Sequence, residues 1–459
     1  MIDFIKRIFG PYYKIEKVFT PNTIAQLTYV DRKTISDDLR KYINLPGKQI
    51  VVYGHSGSGK TTLLYNQLNK LNKKYIKVHC EKTTTFNDII LQTFDHLNTF
   101  YKDSYSMTES NKISKELKID YSNISSNINS ETNREKGESY SRIVPPQLTP
   151  QKLAKFLGAT DNILVIEDFH KVSVEEKQRI ADVIKIFIDM ANEYEGVKII
   201  CIGAVGTARE LIELDDNLHS RIAEVSVPLL SDDEIKEIIN KGLGILNIKF
   251  EKIVIDRIVY YSNNLGAIAH QICYDICKYN DIEEMQLFPK EIKLNSFKNA
   301  VNSYVRQNSD TYNKIYDKIS NIPYGWNILK KFDKVEKEYL SIEEIYNSIP
   351  KKDKNCSIEQ IEDILKLMMN IDYDEIIRYD TYSKRYSIST PFFRAYLKMK
   401  LALEESEIKE RKNKKNKKKI RKYDIDDKNI FELENFEEYY QLLDNYMVKS
   451  IQHIRSKNK

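Results

Sequence analysis

Residues 49–64 read QIVVYGHSGSGKTTLL, and everything else in the chain is placed by them. The apolar run Ile50, Val51, Val52, Tyr53 ends at a glycine, and from Gly54 to Thr61 the spacing is G-x-x-x-x-G-K-T. That pattern predicts a buried strand, a glycine-rich loop and then a helix. Gly54, Gly57 and Gly59 permit backbone angles that side chains would block, so the amides across His55, Ser56 and Ser58 can turn inward on a phosphate. Lys60 can reach β- and γ-phosphates, the Thr61 hydroxyl can ligate Mg2+, and the helix start at Thr61 and Thr62 adds a partial positive charge. ATP with Mg2+ is the expected ligand.

Downstream, Tyr75 to Cys80 alternates as a strand and 83–97 continues as an amphipathic helix. Residues 101–145 turn rich in Ser, Asn, Lys and Glu and lose periodicity, which predicts a solvated insertion with no assigned chemistry. The next apolar strand, Ile163 to Ile166, runs into Glu167 and Asp168. A buried parallel strand ending in two carboxylates puts them at the carboxyl edge of the sheet, where open α/β sheets bind ligands. Ser173 and Glu176 form a capping box that opens a helix stopped by Gly196, and VKIICIG from Val197 to Gly203 is the following strand.

Length and composition agree with several cores. The 459 residues suggest about two to four domains. Hydrophobic residues make up 41%, and no apolar run approaches bilayer-spanning length, so no membrane association is expected. The first residues, MIDFIKRIFGPYYK, carry basic residues inside a short apolar stretch and show no export signal. The five cysteines (Cys80, Cys201, Cys273, Cys277, Cys356) lack a framework spacing, which fits a reducing cytoplasm. The net charge of +5, set against 72 basic and 67 acidic residues, means that any basic partner site is local.

The phosphate loop, the paired acids and the sequence around Ser220 and Arg221 together resemble the ATPase module of AAA+ proteins of the STAND and origin-recognition type. The resemblance covers about residues 20 to 400. It implies a doubly flanked parallel sheet over 31–230 and a helical lid over 231–310, with 1–30 as a leading segment. It also implies roles. Val30 to Lys33 stands where those families place an arginine beside the nucleotide, which makes Arg32 a binding candidate. Glu167 falls where the first acid orients Mg2+, and Asp168 where the second polarises the attacking water. Their order is the reverse of the usual Asp then Glu, which predicts slow hydrolysis. Arg221 falls where an arginine reaches the γ-phosphate held by a neighbouring subunit, which implies a homo-oligomer. The position of the polar sensor after Gly203 is unassigned, with Thr207 nearest. The lid's sensor arginine would fall at Ala269, leaving His270 as the polar substitute. His270, Cys273 and Cys277 share one helical face. Three ligands on one straight helix cannot close a tetrahedron, so that face belongs to the core.

Residues 311–402 predict three helices and a hairpin ending in PFFR, the order of a winged helix, and this too resembles the one attached to those ATPases. The helix in its recognition position carries Glu359, Glu362 and Asp363, which repel phosphate, while only the wing offers Arg378, Lys384 and Arg385. Docking to protein, or latching of the lid, is therefore expected ahead of DNA binding. In 403–459 a cationic run, 409–422, precedes an acidic, aromatic stretch. The run suits nonspecific nucleic acid or a solvated linker. No nuclease acids, nucleophile elbow or zinc cluster appear, so the chemistry ends at ATP. The resemblance implies an ATP-hydrolysing switch that oligomerises and signals to a separate effector, in bacterial defence or regulation. The alternative is a DNA-binding initiator or transposition regulator.

Overall fold

The computed structural model describes residues 12–97, 100–105, 138–142, 149–334, 339–349, 356–381 and 383–420. The expectations for the first eleven residues, for most of the polar insertion and for the acidic tail lie outside them, as do the side chains of 409–422. The chain divides into two compact units, Met1–Lys400 and Leu401–Lys459.

Elements are numbered in chain order: α1 Ile15–Val18, α2 Lys33–Asn44, β1 Gln49–Tyr53, α3 Lys60–Lys70, β2 Lys74–His79, α4 Phe86–His96, β3 Phe100–Tyr105, β4 Glu138–Arg142, α5 Pro150–Ala159, β5 Asn162–Glu167, α6 Val174–Met190, β6 Lys198–Gly203, α7 Thr207–Ile212 and β7 Ile222–Ser226. Strands β2-β5-β6-β1-β7 make one parallel sheet. Because successive strand residues face opposite ways, the continuous apolar runs supply two cores at once. Val51, Leu164, Ile166, Ile199 and Cys201 pack under α4 to α7. Ile50, Val52, Ile163, Val165, Ile200 and Ile202 pack under Leu39 and Ile43 of α2 and Leu63, Leu64 and Leu68 of α3. β3 and β4 form a separate two-stranded antiparallel pair.

The segment expected as the lid follows: α8 Asp232–Leu246, β8 Ile248–Phe250, α9 Lys252–Ser262, α10 Gly266–Lys278, β9 Lys290–Ile292 and α11 Leu294–Gln307. Ser231 and Glu234 form the expected capping box, and Ile268, Ala269, Ile272, Cys273, Ile276 and Cys277 are core. After α12 Lys314–Ser320 come α13 Gly325–Lys334, α14 Ile342–Tyr346, α15 Ile358–Met368, β10 Ile377–Asp380, β11 Arg385–Ile388 and α16 Pro391–Ile420. Leu340 and Tyr386 exchange two backbone hydrogen bonds of 2.8 Å, giving the hairpin a third strand and completing a winged helix. Its helix α15 buries Ile361, Ile364, Leu365 and Met368 and leaves Glu359 and Asp363 exposed. No helix among the described residues is long and apolar enough to cross a membrane.

Candidate nucleotide-binding site

The loop after β1 is held open by its glycines. Gly54 has φ +156°, and a Cβ there would run into the carbonyl oxygen of Val227, which extends β7 by donating its amide to Tyr53 O at 2.8 Å. Gly57, at φ +79°, is overlaid from two directions: a Cβ there would lie 2.5 Å from Leu265 Cδ2 and 2.9 Å from the Phe392 ring. Leu265 belongs to the lid and Phe392 to the start of α16, so lid and winged helix both touch the loop. The first-turn amides of α3 have no intrahelical acceptor, and the Ser58 hydroxyl is buried with no hydrogen-bond partner among the described residues. Lys60 Nζ donates to Gly54 O (2.9 Å) and His55 O (2.7 Å). Burial pushes its ammonium down, and the negative charge of Asp168 opposes that shift. First-turn amides without intrahelical acceptors, an orphan hydroxyl and a half-buried cation fit a polyphosphate.

The AAA domain family matches residues 46–212. This core is an AAA domain. A second family, Ferric uptake regulator, matches residues 326–433 across the winged helix. The iron in that family's name finds no fit here: 326–433 has one cysteine, Cys356, and no histidine, and no cluster of metal-ligating side chains occurs among the described residues. Solved structures similar to the chain include a Walker-type ATPase of Pyrococcus abyssi (TM-score 0.49, 13% identity, covering 81% of this chain and 99% of that one). The Aeropyrum pernix ORC2 protein (0.47, 10%, 87% and 100%) is another, as is Cdc6p from Pyrobaculum aerophilum (0.39, 14%, 85% and 98%). No curated protein matches.

Within the AAA core the two acids separate. Glu167 stands opposite His79 in the β2–β5 register. One of its oxygens accepts from Tyr65 OH at 2.8 Å, and the other lies 2.9 Å from His79 Nδ1. Asp168 sits beyond the strand end in a left-handed conformation (φ +58°), half-exposed, with Lys171 Nζ 2.7 Å from its carboxylate. The carboxylate of Glu167, where the metal role was expected, is thus bound toward Tyr65 and His79, while that of Asp168 meets Lys171. Thr61 and Thr62 open α3 as expected.

Two of the other candidates have partners that the resemblance did not imply, and a third lies away from its own loop. Arg32 donates to Pro228 O (2.7 Å), Leu229 O (3.1 Å) and Glu234 Oε1 (3.1 Å), so its guanidinium braces the junction of core and lid instead of holding ligand. His270 is 3% exposed. Its Nδ1 accepts the Thr20 amide at 3.0 Å and its Nε2 faces Thr28 Oγ1 at 3.5 Å, which fixes the leading segment onto the lid. Burial pushes its imidazole down to about 4. As a neutral core group it is no ligand for nucleotide. Arg221 is exposed at the start of β7, whose carbonyl accepts the Gln49 amide. Since β7 runs parallel to β1, Arg221 and the loop lie at opposite ends of strands of five residues, roughly 16 Å apart. It cannot serve its own loop.

Apart from His55, residues that the sequence did not single out complete the picture. A cavity of about 210 Å³ is lined by His55 of the loop, Leu229, Asn263 and Asn264 of the lid, and Phe332, Thr390, Pro391 and Arg394 of the winged helix. Asn263 Nδ2 donates to Pro391 O at 3.1 Å. Burial pushes the His170 imidazole down against the pull of Asp168, and the positive charges of Lys171, Lys60 and Lys177 act in the same direction as burial. Only the PFFR ending hinted at Phe392 and Arg394, and nothing in the sequence pointed to Tyr65 or His79.

Proposed function

We propose that the chain is an ATP-binding and slowly ATP-hydrolysing switch, in which occupancy of the loop from Gly54 to Thr62 sets how the winged helix sits and thereby controls assembly with further copies and with a partner. The carrying observation is the contact at Gly57, where Leu265 and the Phe392 ring meet one loop residue. A triphosphate entering the loop would draw Lys60 from the carbonyls of Gly54 and His55 and change the surface on which Phe392 rests. Such a differential contact is what lets a ligand shift a conformational equilibrium. Mg2+ bound with the nucleotide supplies charge that offsets the β- and γ-oxygens. Lys60 and the loop amides bind and orient the phosphates, and Arg221 of one copy serves the loop of the next. Neither family match singles out the STAND branch, and the switch reading does not need it.

A second reading, DNA binding, is favoured by the match of the winged helix to a regulator family and by the basic run at 409–422. Against it stands the outer face of α15, where Glu359 and Asp363 are exposed and Lys366 is paired with Glu362 (3.3 Å) and Asp363 (3.5 Å). The two readings part in one experiment. Mass measurement with ATP and without DNA should show larger assemblies for the wild type and none for Lys60→Ala. Assembly that requires duplex DNA, or that persists in Lys60→Ala, refutes the switch.

A further inference from the structure

The resemblance gives the metal role to Glu167 and the water-polarising role to Asp168, and the geometry of the two carboxylates differs. Glu167 is 12% exposed at its side chain, against 48% for Asp168. The hydroxyl that binds Glu167 is itself fixed: Tyr65 is 1% exposed, its ring lies 4.8 Å from that of Tyr75 on β2, and Lys77 Nζ sits 4.2 Å above it. His79, directly opposite in the register, takes the second oxygen. Both oxygens thus belong to a β2–α3–β5 joint. Mg2+ keeps several waters and binds through one or two carboxylates in an accessible site, which the sheltered Glu167 does not offer. Asp168 follows the strand end on a left-handed turn that swings it out of the sheet register, half-exposed at the same edge of the parallel sheet as the loop that follows β1.

We infer that Asp168 is the acid that faces Mg2+ on the bound nucleotide, and that Tyr65 and His79 hold Glu167 as a structural strut. This inference rests on the ATP-binding reading above. It also accounts for slow hydrolysis, because one carboxylate is then left to orient both the metal's water shell and any attacking water.

The test is binding of a fluorescent ATP analogue with and without Mg2+, together with thermal unfolding of the nucleotide-free protein. Asp168→Asn should lose the Mg2+-dependent gain in affinity by about tenfold or more and melt like the wild type, since its partner Lys171 is a half-exposed neighbour. Glu167→Gln should keep the Mg2+-dependent gain and melt lower. Tyr65→Phe, which removes the hydroxyl's hydrogen bond to Glu167 while leaving the acid in place, should behave as Glu167→Gln does and covers the case in which that variant fails to fold. Loss of the Mg2+-dependent gain in Glu167→Gln or Tyr65→Phe, or its survival in Asp168→Asn, overturns the inference. Lys60→Ala is the separate control: if it binds the analogue as the wild type does, the ATP reading itself falls.

Discussion

Replacing Phe392 with alanine tests the link between loop and winged helix most directly. The ring is half-buried and lies over Gly57 beside Leu265, which is fully buried. A buried aromatic side chain removes about 150–250 Å² from water. Half of that, at about 25 cal/mol per Å², gives roughly 2 kcal/mol. If the ring's contact is what holds the winged helix to the loop, its loss should shift that equilibrium by about 30-fold. Two measurements read the shift. Amides of 391–400 should exchange with solvent faster in the nucleotide-free variant, and a fluorescent ATP analogue should dissociate faster because its cover is gone. Asn263→Ala, which removes the 3.1 Å hydrogen bond to Pro391 O, should act in the same direction by about 1 kcal/mol. Phe393→Ala is the contrast: that neighbour is 1% exposed and its loss should unfold the winged helix as a whole. Unchanged exchange together with unchanged dissociation in Phe392→Ala would refute the latch, because the contact would then carry no energy between the two parts.

Two further outcomes follow from placements described above. His270 is held neutral in the fold, so the unfolded chain takes up the proton first as the medium becomes acidic. Its contribution is complete above about pH 6.5 and is lost as pH falls toward 4, a total of roughly 3 kcal/mol. Urea unfolding at several pH values should show that loss in the wild type and a shallower one in His270→Gln, and equal slopes would refute it. Arg221→Ala should leave the analogue's affinity unchanged and slow assembled turnover by about 10³-fold. Mixing it with Lys60→Ala should restore part of the rate, since each copy then supplies what the other lacks; no recovery on mixing removes the intersubunit role.

The sheet was legible because its signal is local and redundant. Ile50 and Val52 face one core and Val51 the other, and an apolar run without alternation is what a strand covered on both sides requires. The phosphate loop was legible for the same reason, since glycine, lysine and threonine stand at fixed offsets along one turn. What could not be read was anything set by register between distant segments. That Glu167 meets His79 follows from β2 pairing with β5 one for one, a relation between residues 88 positions apart. Arg32 and His270 each have partners more than 190 residues away in sequence. A polar residue near the expected place in a motif says nothing about which neighbour will take its hydrogen bonds. The third strand of the winged helix was invisible because a single residue, Leu340, makes it.

These long-range contacts also decide which part of unit Met1–Lys400 can respond to nucleotide. The lid is fastened to the leading segment and the core by directed bonds: Arg32 to the carbonyls of Pro228 and Leu229, Lys241 Nζ to Tyr29 O at 2.7 Å, and His270 to Thr20 and Thr28. Several of these are sheltered from water, where breaking a hydrogen bond leaves a desolvated group and costs about 1–3 kcal/mol each. The winged helix, by contrast, meets the loop through a half-buried ring, and its bonds to the lid include Asn263 Nδ2 to Pro391 O and, at the surface, Lys398 Nζ to Tyr260 O at 3.4 Å. Elements joined by few buried contacts open at the low end of the local stability range. Free energy released by filling the phosphate loop therefore acts first on the junction at Phe392 and Pro391, while the lid stays with the core, and the winged helix is the part whose position reports what the loop holds.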